Sequence, residues 1–494
     1  MGNTNILKQV EQRVGGRKKL IHCGLFGHVD SGKTAIASVI SEMVSTAGLD
    51  AHPQAKKRGI SIDLGFTSFD LEDHKIALVD APGHADLIKS VVASANIIDI
   101  AILVIDAVKG PEIQTGEHMV ILESLNIQNI IVALNKIDLI KEESKIEDII
   151  LDVQAFLANS GDFFKHAPII PVSAIQKRGF STLLDELSNI ISRTTFRRDL
   201  DSDFIMPFDH HFKVKGFGTV LTGTVLSGKV KVGDTVEISP VGQVGKVKSI
   251  RIFKEDFNEA IAGDRAGIAI SGIDDSKMYR GCMVCKPGSM KIAHHLLIRG
   301  KMNKFFKHSL NFKSQVHLTA GMLTVPATIF PFEVIDGKNM MVQELIPGAT
   351  SPGFTAYIHS KDPITLNSSF TLLLSRLDLP PQELRIASRA SIEAILEAPP
   401  EFYRFKKKVG KVKNQEKGII EGLAQSFEGA KRMVGKKVHY TKYLEGKEQI
   451  VEGEITETFG TKGNVKATFK GHIPAEGTAI VLTFPKQMKI TIGN

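Results

Sequence analysis

The chain is poor in cysteine, with three thiols in 494 residues. That is too few for a disulfide framework, so the sequence reads as one built for a reducing, cytoplasmic setting. It also lacks long apolar runs. A membrane helix needs about 18 apolar residues, and the longest stretch, around Ile97–Val108, is interrupted by Asp99 and Asp106. The N-terminus has no signal-peptide core. It begins Met-Gly, but Ile6 stands where myristoylation wants Ser or Thr. Low-complexity tracts and solenoid repeats are missing as well. Together these absences exclude a secreted disulfide scaffold, a helical membrane protein and a repeat array, and no membrane is expected among the partners.

Charge is plentiful but uneven. The chain holds 62 Lys and Arg against 54 Asp and Glu. Residues 401–494 contain 18 of those bases and 10 of the acids, which leaves 44 of each in residues 1–400. The formal excess of +8 therefore belongs to the last fifth of the chain. A local basic excess is an electrostatic footprint for nucleic acid. The length itself implies three or four domains at roughly 100–200 residues each.

The texture of the sequence changes along the chain. Up to residue 197, apolar strand-like runs alternate with helix-like stretches. The strands predicted are Leu20–Phe26, Ile76–Asp80, Ile100–Ile105, Ile130–Leu134 and Ile169–Val172; Lys33–Thr46, Gly116–Leu125 and Ser181–Ile191 carry helical periodicity. This order predicts an α/β domain with a mostly parallel sheet. After Arg198, short strands broken by Gly and Asp predict three β-rich domains, at least two of them β-barrels. The expected divisions are a basic extension at 1–19, the α/β domain at 20–197, a barrel at 198–290, a second barrel at 291–385 and a basic β-rich domain at 386–494. One helical stretch is expected near Ala387–Leu396.

Gly27-His-Val-Asp-Ser-Gly32-Lys33-Thr34 matches the P-loop pattern between a strand and a helix. Val29 lies within it. The backbone of Asp30, Ser31, Gly32, Lys33, Thr34 and Ala35 is expected to wrap phosphates, with Lys33 on the β/γ-phosphates and the Thr34 hydroxyl on Mg2+. Asp80-Ala-Pro-Gly83-His84 ends another strand. Asp80 is expected on the Mg2+ side, Gly83 at the γ-phosphate, and His84 on the attacking water. Asn135-Lys136-Ile-Asp138 follows a further strand, and Ser173-Ala174 the next. A carboxylate at Asp138 can accept both N1–H and the 2-amino hydrogen of guanine, which adenine cannot match. Asn135 would fix the loop, Lys136 would pack on the base, and an N–H at Ser173-Ala174 would reach O6. The motifs in this order point to GTP, and to a GTP hydrolase.

With these residues, and with Arg58-Gly-Ile-Ser-Ile62, the chain resembles the translational GTPases that deliver aminoacyl-tRNA. The resemblance implies tRNA held across the GTPase domain and two barrels, with Val29 and Ile60 flanking His84 until the ribosome orients it. It also implies a third Mg2+ ligand at Ser61, where relatives usually carry Thr; the hydroxyl is kept and the β-branch lost.

The second domain narrows the resemblance. General elongation factors carry acids near Pro-Ile-Glu-Asp and an Asn in the facing loop. Here the stretches read Pro207-Phe-Asp209-His210-His211-Phe212 and Ala262-Gly-Asp-Arg265. A more positive pocket at Asp209, His210 and Arg265 resembles that of the selenocysteine-specific elongation factors of archaea and eukaryotes. A selenol is acidic enough to be an anion at neutral pH, and His and Arg would favour it over serine. Pairing of Arg265 with Asp209 alone is the structural alternative. The segment after residue 385 resembles the fourth domain of that family. The resemblance implies selenocysteinyl-tRNA and the ribosome as partners, and an mRNA element or its binding protein as a partner of the fourth domain, with a monomeric carrier. Lys406–Lys408, Lys431-Arg432 and Lys436-Lys437 are placed to meet phosphates. A general elongation factor and an initiator-tRNA carrier remain alternatives. Cys282 and Cys285 lack a second pair for zinc and read as structural.

Overall fold

The computed structural model describes residues 19–44, 65–71, 73–80, 98–196, 198–214, 218–253, 255–279, 281–321, 323–348, 353–367, 370–380, 382–444 and 447–490. The first domain runs β1 (Lys19–Gly27), α1 (Lys33–Val44), β2 (Gly65–Leu71), β3 (His74–Asp80), β4 (Ile100–Asp106), α2 (Ile113–Ser124), β5 (Ile130–Asn135), α3 (Glu143–Ser160), β6 (Ile169–Pro171) and α4 (Phe180–Arg193). Among the described residues its sheet has the order β2-β3-β1-β4-β5-β6. Every pairing is parallel except β2 with β3.

Strand β4 shows why the sheet is buried on both faces. Ile100, Ile102 and Val104 pack with α1 and α4, while Ala101, Leu103 and Ile105 pack with α2 and α3. Successive strand residues point to opposite faces, so a strand that is apolar at every position must be covered twice. The antiparallel edge β2, Gly-Phe-Thr-Ser-Phe-Asp-Leu, carries no continuous apolar run and gave no strand signal.

The second domain comprises β7 (Ile205–Val214), β8 (Gly218–Thr224), β9 (Lys229–Lys231), β10 (Thr235–Ser239), β11 (Gln243–Ile252), β12 (Glu255–Phe257), β13 (Glu259–Ile261), β14 (Arg265–Ser271) and β15 (Met283–Cys285). The ring β10-β15-β7-β8-β14-β11 closes through β10–β11 pairing. Cys282 and Cys285 are both buried, and burial pushes the Cys285 thiol up to about 11.

The third domain comprises β16 (Lys291–Met302), β17 (Leu310–Asn311), β18 (Ser314–Ala320), β19 (Leu323–Ile335), β20 (Lys338–Met341), β21 (Glu344–Leu345), β22 (Gly353–Leu366), β23 (Thr371–Ser375) and β24 (Ile386–Ile395). The ring β18-β23-β24-β16-β22-β19 closes through β18–β19. The helix expected near Ala387–Leu396 is instead strand β24, paired with β16 and β23. Its Ala, Ser and Glu content imitated a helix, but ladder pairing on both edges decides the matter. The sheet therefore continues past the division expected after Arg385.

The last domain comprises β25 (Phe402–Asn414), β26 (Ile419–Glu421), α5 (Phe427–Lys431), β27 (Lys437–Leu444), β28 (Lys447–Phe459), β29 (Asn464–Phe469) and β30 (Ala479–Met488). It too closes into a ring, β25-β26-β29-β28-β27-β30, through β25–β30. Its core gathers Val412, Ile420, Leu423, Ile455, Val465, Ile480 and Leu482. The chain divides into two compact units. One holds residues 1–330 and 344–398, the other 331–343 and 399–494.

Candidate functional site

The P-loop joins β1 to α1, and its glycines are required by geometry. Gly27 has φ +139°, and a Cβ there would lie 2.2 Å from the Val104 carbonyl oxygen. Gly32 has φ +95°, and a Cβ would meet Asn135 Nδ2 at 2.2 Å. Asp30 also adopts a left-handed φ of 63°. These turns curl the loop ahead of the N-terminus of α1, the kind of arrangement that attracts phosphate. Lys33 is buried, and its Nζ donates to the carbonyl oxygens of Gly27 at 3.0 Å and His28 at 2.7 Å. The ammonium is thereby held across the loop's own curve. Ser31 is buried; Asp30, Thr34 and Ala35 are exposed, and Val29 is half-buried.

The guanine-side motif is tied directly to this loop. Asn135 Nδ2 donates to Ser31 O at 2.9 Å, and Asn135 Oδ1 accepts from Ala174 N at 3.2 Å. Ser173 Oγ donates to Asp138 Oδ1 at 2.5 Å. Lys136 takes a left-handed φ of 67° and pairs with Asp106 at 2.7 Å. Burial opposes ionisation of Asp106, but Lys136 and the Val108 and Lys109 amides outweigh it and hold the carboxyl below the usual range. The three motifs thus converge at the C-terminal ends of β1 and β5 and beyond β6, where open α/β sheets bind ligands.

Two residues that the sequence reading passed over complete the loop's support. On α2, Gln114 Oε1 accepts from Val29 N at 2.9 Å, and His118 Nδ1 accepts from Gly27 N at 2.7 Å. Burial, with the charges of Lys33 and His28, pushes His118 down to about 3, so the ring is neutral and free to accept. The sequence shows only a run of polar residues, Gln114, Thr115, Glu117 and His118; that all four are buried on one helix is visible in the structure alone. Glu117 faces elsewhere and forms a buried ion pair with Arg385 at 3.1 Å.

Ile60, Ser61, Gly83 and His84 lie outside the described residues, and of Asp80 only the backbone, at the end of β3, is described.

The second predicted site forms at one end of the first barrel. Strand β7 shifts register against β8 between Phe208 and His210, which makes Asp209 a bulge residue. Gly223 opposes Phe208; a Cβ there would lie 2.0 Å from Pro207 O. The buried Asp209 accepts from Arg265 Nη2 at 2.8 Å and lies 3.1 Å from His210 Nδ1. Burial works against its charge, but His210 and Arg265 prevail and hold the carboxyl below its ordinary value. Arg265 opens β14 directly after the loop Ala262-Gly-Asp, where a Cβ on Gly263 would strike Arg198 Nε at 2.3 Å. His22 Nε2 meets Gly263 O at 2.6 Å, so the loop is anchored to β1. All three predicted pocket residues are thus brought together, with Arg265 and His210 both turned on Asp209.

Comparison with known proteins follows this geometry. Residues 18–193 match the elongation factor Tu GTP-binding domain, and residues 218–285 match elongation factor Tu domain 2. Residues 290–395 match domain III of the archaeal selenocysteine-specific elongation factor. A selenocysteine-specific elongation factor of Methanocaldococcus jannaschii is 40% identical over 469 residues, 94% of this chain and 97% of that protein. The chain belongs to the selenocysteine-specific elongation factor family. It is a translational GTPase of that family and hydrolyses GTP. A mouse selenocysteine-specific elongation factor is also 40% identical, over 63% of this chain and 56% of its own length. The crystal structure of the Methanococcus maripaludis elongation factor SelB with the GTP analogue GppNHp is 36% identical, with a TM-score of 0.78. It covers 95% of this factor and 99% of that chain. No helix among the described residues of the factor is long and apolar enough to cross a membrane.

Proposed function

We propose that this factor carries selenocysteinyl-tRNA to the ribosome at recoded stop codons and releases it when ribosome engagement triggers GTP hydrolysis. The carrying observation is the Asp209–Arg265–His210 constellation. A buried carboxylate holds the Arg265 guanidinium and the His210 imidazole beside it, and a selenolate entering there gains a charge-assisted hydrogen bond from the guanidinium that a seryl hydroxyl does not. The work is done in the cytoplasm by a monomer.

The P-loop glycines and the amides of Asp30 through Ala35 cradle the phosphates, and Lys33 turns toward them. Asn135, Lys136, Asp138, Ser173 and Ala174 hold the guanine. Thr34, Ser61 and Asp80 would hold Mg2+, a hard cation suited to these oxygen donors. When bound, the ion neutralises charge on the β- and γ-phosphates. His84 orients the attacking water between Val29 and Ile60 once the ribosome engages. The boundaries expected from the sequence assign the nucleotide to 20–197, the aminoacyl end to 198–290, the tRNA body to 291–385, and contact with the ribosome, an mRNA element or its binding protein to the basic domain after it. Hydrolysis sets the timing; the useful product is the change in tRNA affinity.

The test compares GTP-bound factor binding selenocysteinyl-tRNA and seryl-tRNA on the same tRNA body. Equal affinities would refute the reading.

A further inference from the structure

The proposed function gives the last domain an RNA contact, and the site formed by β25 and β30 rests on that reading. Strands β25 and β30 pair along most of their length, with Lys408 opposite Leu482, Lys406 opposite Phe484 and Arg404 opposite Lys486. One face of this pair is apolar in the barrel, where Val412, Ile480 and Leu482 are buried. The same face leaves the core at the half-buried Phe484 and carries the cations Arg404, Lys406 and Lys486 before it reaches the buried Phe402 opposite Met488. Lys408 and Lys436 add their ammonium groups over the Phe484 ring, at 6.0 and 5.1 Å from its centre. The ring fixes their positions but does not neutralise them.

Other lysines of the domain are paired. At the far end of β25 Lys413 pairs with Glu421, and on β28 and β29 and just beyond, Lys466 pairs with Glu457 and Lys470 with Glu452, at 3.1, 2.8 and 3.0 Å. Among the described residues none of Arg404, Lys406, Lys408, Lys436 and Lys486 forms an ion pair with a carboxylate. Lys406 instead lies so near Lys486 and Arg404 that their positive charge holds its amino group below the ordinary lysine value. Like charges crowded this way repel, and the repulsion is relieved by an anion placed among them.

We infer that the face of β25 and β30 bearing Arg404, Lys406 and Lys486, with Lys408 and Lys436 beside Phe484, is a binding site for the phosphate backbone of an RNA strand. Residues two apart on one strand face repeat at about 6.7 Å, close to the spacing of successive phosphates along a nucleic-acid strand. A row of cations on one strand, doubled by Lys486 on the next, therefore suits a continuous polyanion better than a single ion. An acidic protein segment would meet an equivalent field, but its charges hang on side chains of unequal reach. The site reads backbone rather than sequence.

The experiment uses full-length factor and a short RNA hairpin with no acceptor arm, titrated across a range of salt. One variant combines Arg404→Gln, Lys406→Gln and Lys486→Gln. A charge-matched control combines Lys413→Gln, Lys466→Gln and Lys470→Gln, the three ion-paired lysines. The first variant should reduce the slope of log affinity against log salt by about 2–3, since each lost phosphate contact removes about 0.7–0.9. The control should leave the slope unchanged. Equal losses in both would overturn the site in favour of diffuse charge. An unchanged slope in the first variant would overturn it too, while hairpin binding by wild type that survives both variants would leave the broader RNA reading of the domain standing. Polyglutamate serves as the second probe. If the first variant loses polyglutamate binding but keeps the hairpin, the face binds acidic protein and the inference fails. Affinity for GTP should be the same in all three proteins.

Discussion

Asp209 and Arg265 are joined by a 2.8 Å hydrogen bond in which both side chains are nearly buried. The bond holds a cation in place at the proposed aminoacyl pocket before any ligand arrives. Removing Arg265 leaves a buried carboxylate with only His210 beside it. Arg265→Ala should cost about 3 kcal/mol of stability and should abolish most of the preference for selenocysteinyl-tRNA over seryl-tRNA. Arg265→Lys keeps the charge but loses the fork geometry. It should recover stability more fully than selectivity, which equilibrium unfolding and tRNA binding on the same proteins would separate. Because the Asp209 carboxyl is held below its ordinary value of 3.8, the contribution of the pair is complete above that value and lost as pH falls through the lower folded value. Asp209→Asn should remove that acid-side loss.

Two buried histidines set a second pH dependence. Unfolded histidine takes a proton near 6.5, whereas burial lowers His118 to about 3 and His22 to about 4. Between those values the unfolded chain binds more protons, so stability should fall as pH drops below 6.5. The slope should be about 1.4 kcal/mol per pH unit for each histidine. His118→Asn keeps an acceptor for the Gly27 amide and should flatten part of this dependence in urea unfolding. A slope unchanged by the substitution would show that His118 is not held neutral. Nucleotide affinity of the native protein should not respond to His118 across that interval and should weaken only as pH approaches about 3, where the ring protonates and can no longer accept from the P-loop.

The buried pair Glu117–Arg385 connects α2, which supports the P-loop, to the third domain. Both side chains are 3% exposed, and Glu117 also accepts from the Arg385 amide at 3.2 Å. Arg385→Met alone should destabilise by about 3–5 kcal/mol, because it strands a buried charge. Glu117→Met with Arg385→Met should recover most of that loss. A double-mutant cycle by denaturant unfolding checks it, and additive single effects would contradict coupling.

These residues also mark how far the sequence could be read. The P-loop and the Asn135–Asp138 motif were legible because their chemistry needs fixed residue types at fixed spacing, and Gly27 and Gly32 could be nothing larger. The parallel strands were legible because continuous apolar runs such as β4 have few other solutions. Gln114 and His118 were not, since nothing local distinguishes a buried polar helix face from an exposed one until the loop it supports is in place. Strand β24 shows a related limit: its Ala, Ser and Glu content suits a helix locally, and only pairing with β16 and β23 settles it. In the pocket the three residue identities were visible, but the bulge that turns Asp209 toward Arg265 and His210 was not. The cations Arg404, Lys406 and Lys486 of β25 and β30 looked like any basic run until the glutamates that pair with Lys413, Lys466 and Lys470 came into view.

Catalysis has its own prediction. His84→Ala should leave GTP affinity nearly unchanged and lower ribosome-stimulated hydrolysis by about 10²–10⁴-fold, the usual contribution of a positioned acid–base or water-orienting side chain. Single-turnover hydrolysis on ribosomes would measure it. A surviving rate would assign the water to another group.

The central claim is that the pocket built on Asp209, Arg265 and His210 selects a selenolate. The most direct measurement is the affinity of GTP-bound factor for selenocysteinyl-tRNA and seryl-tRNA carried on one tRNA body, repeated with Arg265→Ala. The account predicts a clear preference for the selenocysteinyl form that shrinks in the variant. Equal affinities in the wild-type factor, or a preference that Arg265→Ala leaves intact, would contradict it.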